Sequence, residues 1–254
     1  MNPRSRNQQE TSSIGEPRSE ARRESRATGV DIRTSISVLL ALLLIFASVL
    51  IAPGAQANSA PAGAATITFR KVFKSSYPEF VEIKVDESGK GTCDIRQLSD
   101  DASPQPFQIG APIAQKIFDL AGKLHNFQGV DLEVHRKIAS LGDKTFRYES
   151  GAETHEVKFN YTMDPTATDL LNLFENISRQ ESDLADLQRT MRYDRLGVND
   201  VVEQIQQDYD GKLLPEPERF LPILDQLAAD QKYINIAREK ARTLAGRIRF
   251  QQPQ

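Results

Sequence analysis

Two of the three histidines stand where they could do chemistry. In VDLEVH, Glu133 and His135 are two apart in an alternating stretch, and on a strand that spacing puts both on one face. Glu153 and His155 repeat the relation. Two imidazoles and two carboxylates brought together make a donor set for zinc. Neither an H-E-x-x-H helix nor a Cys/His knuckle imposes such a meeting. The competing reading places these residues on a solvated sheet face. Asp100-Asp101 is a carboxylate pair of the kind that glycoside hydrolysis uses, although adjacent loop acids usually only solubilise. Cys93, the single cysteine, is a nucleophile on paper and a small apolar side chain by default. Ser88-Gly89-Lys90-Gly91-Thr92 resembles a phosphate loop only at first sight. Lys84 stands where the leading Gly is needed, and Gly91 where Ser or Thr must follow the Lys. Neither a G-x-S-x-G elbow nor, beyond the apolar segment, an S-x-x-K pair is present. No cofactor motif emerges.

The elements that must position these residues begin far upstream. Thr34 to Ala52, TSISVLLALLLIFASVLIA, holds no charge, Gly or Pro and is long enough to span a bilayer as a helix. Seven arginines precede it, and the next basic residue is Arg70, so the asymmetry sends the bulk of the chain out of the cytoplasm. Two fates are open. Ala55-Gln56-Ala57 has the small-x-small form of a signal-peptidase site, which gives a periplasmic or secreted protein cut after Ala57. The run is also longer than a usual signal core, which gives an uncleaved anchor tethering the protein to the membrane. Residues 1–33, rich in Arg, Glu and Ser, are expected to be a disordered leader. Arg22-Arg23 lies too far from the apolar run, and is followed by the wrong residues, to be a twin-arginine signal. Residues 53–64 read as a flexible linker.

From Ala65 the hydrophobic period is two. Strands are expected around Ile67–Phe69, Val81–Val85, Thr92–Leu98, Phe107–Ile109 and Val130–His135, with a final hairpin of 144–150 and 155–161 around Gly151. Ile113, Ile117, Leu120 and Leu124 mark a helix over 111–124. Asp164-Pro165 is a cap followed by a first-turn proline. Leu170, Ile177, Leu184 and Met191 then carry one long helix to about Tyr193, with Gly197 as its stop. Asn199 is expected to cap a further helix closed by Gly211, and two more helices follow, at 220–229 and 231–249. The fold class is therefore α+β: a mainly antiparallel sheet with helices on one face (65–177), then an all-helical C-terminal region (178–250), behind an N-terminal transmembrane or signal helix.

The 254-residue chain carries a formal charge of −3, and the part beyond the leader is also acidic, which argues against a nucleic-acid partner. One cysteine cannot make an internal disulfide, so packing must hold the exported part together. The absence of Trp weakens a sugar-binding reading. The two glycosylation sequons, at Asn160 and Asn176, fall on a strand and a helix stripe, where chance accounts for them.

The stretches KTFRYESGAETHEVKFNYTMDPTATDLLNLFENIS (144–178), MRYDRLGVND (191–200) and RFLPILDQLAAD (219–230) resemble an uncharacterised family of exported bacterial proteins. That resemblance implies an exported unit with no assigned activity and no catalytic residues. The order of elements in 65–178 is similar to a second exported domain of unknown function. That domain carries an early Cys pair, and Phe73-Lys74-Ser75-Ser76 has none here. Two functional classes follow: a non-enzymatic interaction module of the cell envelope with an envelope-protein partner, or an envelope hydrolase or metal-dependent enzyme using His135, His155, Glu133 or Asp100.

Overall fold

Alternation of apolar and polar residues builds the sheet directly. The computed structural model describes residues 64–251, all within one unit spanning Asn58–Gln254. Six strands, β1 (Thr66–Val72), β2 (Phe80–Asp86), β3 (Lys90–Arg96), β4 (Gln105–Gln108), β5 (Asp143–Ser150) and β6 (Glu153–Phe159), form one antiparallel sheet in the order β4-β3-β2-β1-β5-β6. The helices are α1 (Ala111–Lys123), α2 (Pro165–Tyr193), α3 (Val198–Asp210), α4 (Leu221–Ala229) and α5 (Asn235–Gln251). This is the α+β fold with a helical C-terminal region. Thr34, Ala52, Ala57, the leader and nearly all of 53–64 lie outside the described residues. Among the described residues, no helix is long and apolar enough to cross a membrane.

One sheet face is dry. Ile67, Phe69, Ile83, Val85, Phe146 and Phe159 are buried there with Ile117 of α1 and Leu170, Phe174 and Ile177 of α2. The other face is wet and carries the pairs Arg70–Glu82, Lys84–Glu149, Arg147–Glu149 and Lys158–Glu156. Such exposed pairs contribute little each and mainly keep that face soluble. The β2–β3 turn is a hairpin. Asp86 Oδ1 accepts from the N–H groups of Ser88 and Lys90, and Gly89 takes φ +80°, a value that side chains resist.

Helix α2 starts as its sequence demands: Asp164 Oδ1 accepts the Ala167 N–H at 2.8 Å and Pro165 follows. It serves two buried apolar clusters. Ile177 belongs to the sheet cluster, and Leu187 and Met191 to a second cluster filled by α3, α4 and α5.

Three expectations are corrected. Residues 130–135 form no strand. Asp131 Oδ1 takes the Glu133 N–H, and Glu133 itself takes the Val134 and Asn160 N–H groups, so side chains occupy donors that a ladder would need. Only Val134 N–H reaches the Tyr161 carbonyl. Gly197 opens α3 instead of stopping α2, which already ends at Asp194, and Asn199 lies inside α3 rather than capping it. Gly211, as expected, closes α3 as its C-cap. Its φ is −74°, and the left-handed residue is Lys212 at φ 57°. Leu213 N–H bonds the Asp208 carbonyl and Lys212 N–H the Tyr209 carbonyl, the two bonds of a Schellman closure. A side chain at that position costs about 1 kcal/mol, so Lys212→Gly should raise the unfolding free energy by about that amount in urea titration. Gly211→Ala should not.

Candidate functional site

The residues singled out by type do not converge. His135 is exposed on the 130–142 segment, with its Nε2 2.6 Å from Asp131 Oδ2. The Asp131 carboxylate, through that hydrogen bond, raises the imidazole pKa. His155 on β6 instead meets Glu153 at 2.7 Å. Glu133 uses one carboxylate oxygen on the Asn160 N–H and the other on Val134, which fastens the segment to the end of β6. Among the described residues, no three His, Cys, Asp or Glu side chains are grouped to hold a metal ion. Asp100 spends its carboxylate on the turn, accepting from Gln97 N–H and Ser99 Oγ.

Two buried groups have the right types for nucleophilic chemistry and the wrong surroundings. Burial, then the carboxylates of Glu181 and Asp94, push the Cys93 thiol up to about 12, so it stays protonated at neutral pH. Lys144, set at the start of β5, is buried, and burial lowers its pKa. Its ammonium is fully used: Nζ donates to the carbonyls of Leu141, Gly142 and Asn160 at 2.8–3.0 Å. It ties the 130–142 segment to the sheet.

What sequence reading missed is a polar seam between the two apolar clusters. Gln180 is 1% exposed in the middle of α2. Its Oε1 accepts the Glu216 N–H at 2.8 Å, and Glu216 Oε1 accepts the Gly110 N–H at the mouth of α1. Burial raises the Glu216 pKa, against the pull of the Gly110 N–H. Arg219 grips Glu181 through both terminal nitrogens and lies 3.9 Å from Glu216 Oε2. The network joins α1, α2 and the short 217–220 turn. Gln180 Nε2 and Glu216 Oε2 are buried there with no hydrogen-bond partner among the described residues, while the bonds that are made lock the elements together. Its signal was the spacing Ile177, Gln180, Leu184, Leu187, which puts a polar residue on the apolar stripe.

A different feature faces solvent. The α2–α3 and α4–α5 connections lie together, because Tyr233 Oη donates to the Met191 carbonyl and Arg195 acts on the Asp230 carboxylate. That end displays Tyr193 (76% exposed), Leu196 (74%), Ile234 and Ile236. Their burial in water-free contact would be favourable, and exposed apolar groups gathered in one place mark interaction sites more often than single ones do.

No protein-family model matches the chain, and no curated protein does. Among solved structures, it is similar to an SsgA-like sporulation-specific cell division protein from Thermobifida fusca YX-ER1, at 10% identity and a TM-score of 0.15, over 53% of this chain and 98% of that one. So low a score carries no argument about fold or function.

Proposed function

We propose that this chain is a non-enzymatic interaction module that works outside the cytoplasm and docks a protein of the cell envelope. The observation that carries it is the apolar end of the helical region: Tyr193, Leu196, Ile234 and Ile236, all exposed on two adjoining connections or the helix ends that border them. The charge asymmetry around Thr34 to Ala52 supports the compartment, as signal or as membrane anchor. The resemblance of 144–178 to exported bacterial proteins supports the same placement. A helical end with aromatic and branched aliphatic groups offers the kind of anchors from which binding energy is drawn at interfaces.

The test is photo-crosslinking in a bacterial host, with a benzophenone amino acid placed at Leu196 of the full chain. A discrete adduct with one envelope protein is expected. The same probe at Gln188, exposed on α2, should give none. Failure to trap any protein from Leu196, with the chain folded and abundant, would remove the proposal.

A further inference from the structure

Beside the seam, α2 and α3 face each other through two carboxyl groups. Asp208 is 4% exposed in the last turn of α3. Both of its oxygens already accept: Oδ1 from Arg179 Nη1 at 3.3 Å, Oδ2 from Gln204 Nε2 at 3.0 Å. Asp183 lies one turn along α2 from Arg179, the residue that reaches Asp208, and its Oδ2 is buried with no hydrogen-bond partner among the described residues; the Asp208 carboxyl is the group that acts on it, by charge and by hydrogen bonding. Two carboxylates cannot hydrogen-bond without a proton between them. Asp208, with two donors directed at it, is the better charged member, which makes Asp183 the donor.

The surrounding charges point the same way. On α2, Arg179 is the cation that acts on Asp183 and reaches Asp208, and Asp186 adds a further negative charge although Arg189 partly holds it. On α3, the last turn has no basic residue of its own, so the negative end of the helix repels Asp208 further. Asp210 there is occupied by Arg247 of α5. In the 217–220 turn, Arg219 is committed to Glu181 and Glu216. One partly exposed guanidinium cannot balance both carboxylates.

We propose that Asp183 and Asp208 share one proton and make the α2–α3 contact a pH-responsive junction, closed by a hydrogen bond on the acid side of neutrality and strained by repulsion on the alkaline side. Burial first, then the charge of Asp208, moves the Asp183 carboxyl up to about 7 from its ordinary 3.8. Between those values the folded chain holds a proton that the unfolded chain has lost. The junction's contribution is therefore fully present below about 4, declines as pH rises toward about 7, and is gone above it.

Asp183→Asn tests this, because an amide donates to Asp208 at every pH. Thermal unfolding of the full chain should show the wild type losing roughly 5 °C more than the variant between pH 5 and pH 8. The variant should be the more stable protein at pH 8. Parallel curves for the two proteins across that range would overturn the proposal. Should the variant not fold, carboxyl ¹³C shifts of aspartate-labelled wild type decide it. One aspartate must titrate between pH 6 and 8, and a spectrum in which all aspartates titrate below pH 5 refutes the shared proton.

Discussion

Phe146→Ala is expected to lower the unfolding free energy by about 3–5 kcal/mol, the range for emptying an aromatic site in a core. Phe146 is fully buried at the middle of β5, opposite Phe69 of β1 in the sheet register. Its ring lies against four others: Phe159 at 5.2 Å between centroids, Phe127 at 5.4 Å, Phe69 at 5.8 Å and Phe174 at 6.2 Å. These partners come from β6, the turn after α1, β1 and α2. Removing the ring therefore leaves a hole bounded by four elements, each held by its own hydrogen bonds, and none can collapse inward without breaking register. Urea titration followed by far-ultraviolet dichroism checks it. Because the two apolar clusters are distinct, the loss belongs to whichever transition reports the sheet. Phe250→Ala, at a side chain 91% exposed, is the matched control and should change little. A loss below about 1.5 kcal/mol at Phe146 would mean the ring is not the hub of this core.

Regular burial made the elements legible. Val81, Ile83 and Val85 alternate because one sheet face is dry, and the strand follows from that alone. Asp164-Pro165 announced α2 because cap chemistry is local. The failures have a common source: local signals whose outcome depends on distant partners. VDLEVH alternates like a strand, yet Asp131 and Glu133 satisfy backbone donors with their own side chains. Gln180 has the type of a surface residue, and the partner its buried Oε1 finds, the Glu216 N–H, is thirty-six positions away. Among the candidate residues, adjacency in sequence paired His135 with Asp131 and His155 with Glu153, contacts within four residues that no fold was needed to make. The pair that does meet across elements, Asp183 and Asp208, carries no spacing motif at all.

That dependence on distant partners sets the expected result at Gly91. Gly91→Ala should cost about 3 kcal/mol or more, through overpacking against groups that cannot yield. Gly91 lies inside β3, opposite Val85 of β2 on one side and Phe107 of β4 on the other. A Cβ there would stand 1.9 Å from the Lys84 carbonyl oxygen and 2.9 Å from Phe107 Cε1. The carbonyl belongs to a paired strand, so relief requires β2 and β3 to separate locally, which breaks ladder hydrogen bonds beside Cys93 and opens the sheet cluster. The aromatic ring can turn, whereas the backbone oxygen cannot. Gly246→Ala supplies the contrast. Nothing lies within 4 Å of a Cβ at that position in α5, and helix propensity favours Ala there by up to about 1 kcal/mol. Chemical denaturation of the pair should give opposite signs. The same sign for both would show that close approach at β3, rather than the loss of chain freedom common to glycines, had been misassigned as the reason for Gly91.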